Sequence, residues 1–348
     1  MLHQIQFFYI LLSFALSLLI HFLVIQVTHR KGIFLDEHDK VQKVHDAPTP
    51  RIGGLGIFLS SMFILNDYSV GGYLILAAIP AFIAGFLEDY SGKISPEQRL
   101  AIMCLSPVMA FIMIPDSVLT QWSFLEVPVA LGIVASVIFI IALVNGVNFT
   151  DGQNGLASGT VFLCFLSLGA VAFLLNDSSI LYICAVLAAA VAAFLVYNFP
   201  AGRIFLGDGG AYLLGFMIAA ISIVVVQRHP DKVSPFLLPA ILIYPLWEVL
   251  FSTFRKFFYD RISPLRSDEY HLHQLLFRNH ARGKGYLPVL LILPAQLISS
   301  CFVVAAPDNE FLLLVVMLCY ILLYTAVYFY ERRLDRGRIS VMRASFSK

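Results

Sequence analysis

Apolar runs of about the length of a membrane helix recur along almost the whole chain, and they limit the folds that are open to it. A helix needs roughly 17 to 25 mainly apolar residues to cross a bilayer. A mean hydropathy of +0.84, with only 13% charged residues, excludes an ordinary soluble domain. About eleven candidate spans follow, near residues 5–27, 53–68, 72–87, 100–115, 127–144, 158–176, 179–197, 210–227, 235–254, 287–306 and 311–330.

The runs predict an all-α integral membrane protein, a polytopic bundle of about 10 to 11 transmembrane helices. The count of ten arises because residues 66–72 barely separate the second and third runs. No internal repeat and no separate soluble segment is evident in the sequence. Residues 1–348 are therefore predicted to form a single domain.

The basic residues indicate how the bundle is oriented, because Lys and Arg in short loops favour the cytoplasm. With the N-terminus outside, 21 of the 23 Lys and Arg residues fall in cytoplasmic segments, and only Arg228 and Lys232 do not. This distribution supports eleven spans, since the basic C-terminal tail then lies inside. A net charge of +1 gives no sign of nucleic-acid binding, so no nucleic acid is expected as a partner.

A polar, glycine-containing loop is predicted at residues 145–159, NGVNFTDGQNGLASG, directly after an apolar run. Four polar residues recur there at intervals of three, which gathers them on one surface if the backbone turns helically. They are Asn145, Asn148, Asp151 and Asn154. The loop is either a solvated connection between spans or a substrate or metal site at the membrane surface, and the other polar segments bear on this choice.

Two further polar segments carry carboxylates at the ends of predicted spans. Glu88 and Asp89 are adjacent at the membrane surface, where two like charges need water, a cation or basic partners. Asp208 lies between Gly207 and Gly209 before an apolar run, so free N–H groups of a helix start face any ligand bound there. Solvated helix ends are the plain alternative for the first pair, whereas the placement of Asp208 favours an anion or magnesium site.

Two histidines, His271 and His273, lie in the longest predicted cytoplasmic loop. Their spacing differs from the i, i+4 pair of a helical zinc site, and imidazoles beside carboxylates and arginines suit phosphate contact or proton transfer. Hard oxygen ligands favour magnesium or manganese, and a membrane bundle implies a lipid substrate. The residues therefore predict phosphoryl transfer to a lipid. Glu248, inside the ninth predicted span, is expected to hydrogen-bond to neighbouring helices.

Five ordered segments within about residues 45–276 carry a family resemblance: HDAPTPRIGG, FLEDYSGKISPEQRL, NGVNFTDGQNGLASG, NFPAGRIFLGDGGAYLLGF and SDEYHLHQLL. Together they resemble the polyprenyl-phosphate N-acetylhexosamine-1-phosphate transferases. The resemblance implies transfer from a UDP-N-acetylhexosamine to undecaprenyl phosphate, with UMP leaving and magnesium or manganese as cofactor. It also implies a multi-pass enzyme of the bacterial inner membrane with catalytic cytoplasmic loops, and a homodimer is a further expectation.

The resemblance also implies roles for single residues. Asp208 and Asp151 would bind magnesium, and Asp151 would also help to arrange the nucleotide. Asp89, beside Glu88, would bind or deprotonate the lipid phosphate. The remaining substrate contacts would come from Phe205 stacking on uracil, from Asn148 and Asn154 in the same pocket, and from His271, His273, His45 and Arg51 at the phosphates. Direct displacement and a covalent aspartyl route both stay open.

Three positions depart from the family pattern. Glu88 replaces the first Asp of the usual pair, Asn154 replaces the second acid of DGxDG, and Gln274 replaces the third His. Peptidoglycan synthesis goes with the complete set, so an enzyme that initiates a surface polysaccharide, such as lipopolysaccharide O-chain or capsule, is favoured. The sugar stays open among GlcNAc, GalNAc, QuiNAc and FucNAc. A secondary transporter or flippase and a catalytically inactive family member are the rival interpretations.

Overall fold

The computed structural model describes residues 2–32, 34, 49–67, 69–123, 125–263, 268–281 and 283–346. His45, a predicted phosphate contact, lies outside these residues. Within the described ranges the fold is helical except for one antiparallel hairpin of two short strands, β1 (Gln121–Trp122) and β2 (Leu125–Glu126). The structure therefore confirms the predicted all-α membrane fold.

The α-helices differ widely in length. In chain order the described ones are α1 (Leu2–Lys31), α2 (Gly53–Ser61), α3 (Gly71–Ser91), α4 (Pro96–Met103), α5 (Leu105–Met113), α6 (Val129–Thr150), α7 (Leu156–Leu174), α8 (Ser178–Asn198), α9 (Gly207–Arg228), α10 (Leu237–Ile241), α11 (Ile243–Phe254), α12 (Leu272–Leu276), α13 (Leu287–Ala305) and α14 (Glu310–Phe346). Short 3-10 turns lie at Met62–Asn66 and Pro115–Ser117, and π turns at Arg255–Tyr259 and Phe277–Ala281.

Eight helices in the described part of the chain are long and apolar enough to cross a membrane, namely α1, α3, α6, α7, α8, α9, α13 and α14. The other three predicted spans are interrupted. The run at 53–68 is divided between α2 and a 3-10 turn, that at 100–115 between α4 and α5, and that at 235–254 between α10 and α11. A multi-pass protein is confirmed, and eleven crossings stay a prediction.

Proline explains two of the interruptions. Pro107 and Pro245 have no N–H, and each ring would clash with the carbonyl four residues earlier, which is where the preceding helix ends. At the second break, Gln296 of α13 replaces the lost partners. Its Nε2 donates to the Ile241 carbonyl at 2.8 Å, and its Oε1 accepts from the Tyr244 N–H at 3.3 Å. Non-helical backbone inside a membrane bundle needs such partners.

Helix α9 is the central helix of the bundle and carries the Gly-Asp-Gly segment in its first turn. Residues 207–226 are all buried, and α9 packs mainly against α3, α6 and α2. Two glycines allow the closest approach. An added Cβ on Gly54 of α2 would lie 2.2 Å from the backbone nitrogen of Gly210, and one on Gly85 of α3 would lie 2.3 Å from the carbonyl carbon of Asp208. Two neighbouring helices thus contact the first turn of α9 directly.

The C-terminal helix α14 continues beyond its apolar part and contacts the segment that contains the two histidines. In each contact, a basic side chain of one segment meets an acidic side chain of the other. The pairs are Arg278–Asp335, Arg332–Asp260 and His280–Glu331. Arg278–Asp335 and His280–Glu331 hold residues 268–281 against α14, and Arg332–Asp260 joins α14 to the end of the segment after α11.

Candidate active site

Asp208 lies at the centre of the candidate site, in the first turn of α9. Its Oδ1 accepts hydrogen bonds from Asn148 Nδ2 at 3.0 Å and from Arg51 Nη2 at 3.4 Å. Its Oδ2 accepts from Arg99 Nη1 at 3.1 Å. Asn148 and Arg51 were predicted as site residues, whereas Arg99 was predicted only to lie in a cytoplasmic segment. The structure therefore adds Arg99 to the residues around Asp208.

Asp89, near the end of α3, contacts the backbone of the same helix start. Its Oδ1 accepts from the Asp208 N–H at 3.0 Å, and its Oδ2 accepts from the Gly209 N–H at 2.9 Å. The first N–H groups of a helix lack intrahelical partners, and a carboxylate there also interacts favourably with the helix dipole. Gly207 has a φ of +75°, which favours glycine in this turn. Asp89 thus fixes the turn that carries Asp208, and its remaining lone pairs are free to accept a proton from a lipid phosphate, the role predicted for it.

Glu88 contacts the loop that follows α3. Its Oε2 accepts from the Ile94 N–H at 3.2 Å, and its Oε1 lies 3.8 Å from Arg99 Nη1. Arg99 therefore lies between Glu88 and Asp208 and partly neutralises both. The longer side chain of Glu88, compared with the family's Asp, reaches the backbone of this loop.

Asp151 directly follows α6 and is half-buried. Burial raises the pKa of its carboxyl group to about 8; Arg51 opposes this shift, while Asp208 and Asp89 add to it. Asp208 and Asp89 are therefore close enough to Asp151 to disfavour its charged form. Such a cluster gains stability when a further cation binds.

The donor chemistry fits magnesium, although the carboxylates do not form a complete ligand set by themselves. In the described part of the chain, no group of three His, Cys, Asp or Glu side chains is arranged to hold a metal ion. Magnesium in phosphoryl-transfer enzymes commonly takes one or two carboxylates and fills its other positions with water and substrate phosphates. Asp208 and Asp151 suit that arrangement. Arg51 and Arg99 form ion pairs with Asp208 and so compensate its negative charge.

The loop predicted at residues 145–159 is shorter than expected. Helix α6 continues to Thr150, and α7 begins at Leu156, so only residues 151–155 are non-helical. Asn145 donates to the Ile141 carbonyl of its own helix at 2.8 Å, whereas Asn148 bonds Asp208. The expectation of a loop from residue 145 was wrong, because apolar neighbours in α6 keep this polar end helical.

Asn154 and Asn198 connect the third and fourth segments. Asn154 Nδ2 donates to the Pro200 carbonyl at 2.9 Å, and its buried Oδ1 has no hydrogen-bond partner within the described residues. Asn198 Oδ1 accepts from the Gly155 N–H at 2.7 Å, and its Nδ2 donates to the Ile204 carbonyl at 2.8 Å. In the sequence, Asn198 is evident only as the first residue of the fourth segment. Its role depends on a contact with Gly155, which is 43 positions away.

Phe205 is half-buried and held through its backbone. Its N–H donates to the Pro50 carbonyl at 2.8 Å, and its carbonyl accepts from the Gly53 N–H at 2.9 Å. The first and fourth predicted segments therefore meet at this residue. Phe205 and Asn154 belong to one connected loop region, which suits their predicted place in a nucleotide pocket.

The two histidines form a separate wall next to the residue 149–152 region. His271 stacks on His273 with ring centroids 5.7 Å apart and lies 5.3 Å from the Phe149 ring. A Cβ on Gly152 would lie 2.6 Å from His273 Nε2. Burial lowers the pKa of His273 to about 3, so this ring is neutral at physiological pH. His271 instead meets a carboxylate, since its Nδ1 lies 2.8 Å from Glu248 Oε1.

Gln274, the departure from the family's third His, has a local structural role. Its Oε1 accepts from the His271 N–H at 3.1 Å, which caps the start of α12. The substitution removes a titrating group but fixes the backbone of His271.

Of the predicted site residues, the structure brings five together at the start of α9, namely Glu88, Asp89, Asn148, Asp208 and Arg51.

Comparisons with known proteins match the same part of the chain. Residues 72–226 match the family model described as "Glycosyl transferase family 4". The chain is 28% identical over 309 residues to the undecaprenyl-phosphate alpha-N-acetylglucosaminyl 1-phosphate transferase of Thermotoga maritima, across 87% of this chain and 91% of that protein.

Two further relatives have related names. The decaprenyl-phosphate N-acetylglucosaminephosphotransferase of Mycobacterium tuberculosis is 30% identical over 298 residues, across 74% of this chain and 71% of that protein. The phospho-N-acetylmuramoyl-pentapeptide-transferase of Streptococcus uberis is 30% identical over 243 residues, across 63% of this chain and 72% of that protein. Similarity to such relatives extends over most of their length.

Proposed function

Because the chain belongs to glycosyl transferase family 4, we propose that it transfers an N-acetylhexosamine 1-phosphate from a UDP-sugar to undecaprenyl phosphate. The family match confirms the predicted family and the predicted class of enzyme, a phosphoglycosyltransferase. The observation that carries the proposal is the convergence of Asp208, Asp89 and Asp151 with Arg51 and Arg99 at the start of α9. Carboxylates and guanidinium groups together suit a metal-bound diphosphate.

The nucleotide would bind on the side of Phe205. Two hydrogen bonds fix the backbone of Phe205, and its half-buried ring offers a stacking surface for uracil. Base stacking on aromatic rings contributes roughly 1–3 kcal/mol per base. The buried, unpaired Oδ1 of Asn154 offers an acceptor to a donor on the ligand, since buried polar atoms are normally satisfied. Asn198 bonds the backbone next to each of these two residues, at Gly155 and at Ile204.

Asp208 and Asp151 would hold the magnesium ion, or manganese in its place. When bound, the ion would neutralise charge on the diphosphate oxygens. Arg51 and Arg99 already contact Asp208, so they lie close enough to turn toward the phosphates once a cation shares that carboxylate. Asp89 would keep the N-terminal turn of α9 in place during this exchange.

In the proposed reaction, a phosphate oxygen of the lipid attacks the β-phosphorus of the UDP-sugar. A new P–O bond forms there, the bond to the oxygen shared with the α-phosphate breaks, and UMP leaves with that oxygen and its electron pair. Both oxygens of Asp89 accept backbone hydrogen bonds, which weakens this carboxylate as a nucleophile. The geometry therefore favours direct displacement over a covalent intermediate at Asp89.

The biological setting is also part of the proposal. The distribution of Lys and Arg supports an active site that faces the cytoplasm, and the bacterial relatives make a bacterial inner membrane the expected location. The T. maritima and M. tuberculosis relatives are named for N-acetylglucosaminyl transfer, so UDP-GlcNAc is the first donor to test. The product would initiate a surface polysaccharide, such as lipopolysaccharide O-chain or capsule. A transporter would place its key residues near the midplane on interrupted helices, whereas these gather where several helices end.

The test is UMP release and formation of a polyprenyl-diphosphate sugar by purified protein with magnesium, undecaprenyl phosphate and UDP-GlcNAc. Asp208→Asn is expected to abolish turnover. Asp231→Asn, which changes an exposed acid in the loop after α9, is the matched control and retains wild-type turnover. Near-normal turnover in Asp208→Asn removes this residue from the metal role. No UMP release from any UDP-N-acetylhexosamine favours an inactive family member or a transporter.

A further inference from the structure

Glu248 is a fully buried carboxylate outside the cluster around Asp208. It lies in α11 with no exposed surface. Its Oε1 is 2.8 Å from His271 Nδ1, and its Oε2 accepts a hydrogen bond from the Tyr324 hydroxyl at 2.8 Å. A carboxylate at this depth is costly unless partners on other segments compensate it. Both partners are present, and one of them is a residue of the proposed site.

We propose that Glu248 is a positioning residue for His271, an inference that rests on the proposed function. An ionised carboxylate only accepts hydrogen bonds, so Nδ1 of His271 must carry a proton in this pair. Nε2 is then the ring nitrogen that meets substrate. Carboxylates that bond one imidazole nitrogen fix the tautomer and orientation of the ring in metal sites and in catalytic triads.

The surroundings of the ring agree with a single orientation. His271 Nε2 lies 3.7 Å from Asp268 Oδ1, and the ring contacts His273 and Phe149. Phe149 directly follows Asn148, which bonds Asp208, so α6 contacts both the His271 ring and the carboxylate cluster. Lys256 Nζ lies 5.6 Å from the Phe149 ring centroid and contributes positive charge nearby. Nδ1 of the ring is therefore occupied and the ring is packed against two neighbours, whereas Nε2 lies beyond hydrogen-bond distance of Asp268.

Tyr324 in turn fixes the orientation of the Glu248 carboxylate. It belongs to α14, and its bond to Oε2 limits rotation of the Glu248 side chain. Orientation of His271 thus depends on three separate segments: α11, α14 and the start of α12. A purely structural link between α11 and α14 would need only the Tyr324 bond, and the His271 bond would be incidental.

Steady-state kinetics separate these two roles. Glu248→Gln keeps the volume and an acceptor oxygen but loses the charge that fixes the ring, and is expected to lower kcat roughly 10- to 100-fold with a smaller change in KM. The double variant Glu248→Gln/His271→Gln should be no slower than His271→Gln alone, because Glu248 acts through that ring. Wild-type kcat in Glu248→Gln, or an additive loss in the double variant, would overturn the proposal.

Two further measurements keep the test independent of folding and of turnover. Tyr324→Phe should cause a smaller loss of kcat in the same direction, while Tyr320→Phe, one turn earlier on α14, should match wild type. Histidine ¹⁵N spectra should show the His271 Nδ1 signal of a carboxylate-bonded N–H that Glu248→Gln alters. An altered signal in a protein without UMP release rejects the proposed function and keeps the positioning role. Unaltered signals in an active protein reject the positioning role.

Discussion

The contact between Gly85 and the Asp208 peptide group offers a direct test of how precisely the site is built. Alanine at position 85 would place its Cβ 2.3 Å from the carbonyl carbon and oxygen of Asp208 and 2.4 Å from the Gly209 nitrogen. Ordinary contacts of a Cβ begin at 3.4 Å. All three nearest atoms are backbone atoms, so no side chain can rotate away to make room.

Gly85→Ala must therefore move the first turn of α9 away from α3 by about 1 Å. A misplacement of this size can reduce turnover about 100-fold when it affects catalytic groups. The effect on stability is expected to be smaller. Overpacking costs about 1–3 kcal/mol, whereas Ala is favoured over Gly in a helix by about 1 kcal/mol. The two terms partly cancel, so the variant should fold and be nearly inactive.

The assay is UMP release together with thermal unfolding of the purified protein. Gly72→Ala is the matched control, because it lies in the same helix and its Cβ would be 3.9 Å from the Leu65 side chain. The control should have wild-type turnover and equal or higher thermal stability. Turnover of Gly85→Ala close to wild type would refute the reasoning, since it would show that the Asp208 turn can shift without loss of function.

Two other predictions concern single side chains of the same region. Asp89→Ala leaves two N–H groups of α9 without their acceptor, and each bond to a charged group contributes about 1.5–3 kcal/mol. The kcat of Asp89→Ala should therefore fall far more than that of Glu88→Asp. Equal losses in the rate of UMP release would contradict this ranking. Burial lowers the pKa of His273 from 6.5 to about 3, so the unfolded chain takes up a proton that the folded chain resists. Stability should be complete above pH 6.5 and decline toward pH 3, and His273→Gln should flatten the decline in thermal unfolding. An unchanged slope would show that another group causes it.

The membrane fold could be predicted because hydropathy depends on composition over long runs. The interruptions at Pro107 and Pro245 could not be read from hydropathy, since a proline is compatible with an apolar run but not with the helix bond it replaces. The sequence shows where these prolines lie. It does not show that Gln296 replaces the missing partners, because that contact depends on how α13 packs against α10 and α11.

The candidate site was predictable in its residue types more than in its pairings. The structure brings Asp208, Asn148 and Arg51 together, as the motifs indicated, whereas the catalytic roles stay predictions. Arg99 was visible in the second segment, but its contact with Asp208 joins residues 109 positions apart. Glu248 was expected to hydrogen-bond to neighbouring helices, and this is confirmed by its contact with Tyr324.

The ion pairs between α14 and residues 268–281 bear on when the enzyme becomes complete during its synthesis. Chains emerge from the ribosome with the N-terminal part first. A nascent chain that has reached residue 276 already contains all five motifs, yet Glu331, Arg332 and Asp335 are still untranslated. The segment with the two histidines therefore gains these contacts only after α14 has been synthesised. Incomplete chains in the membrane are accordingly expected to lack transfer activity.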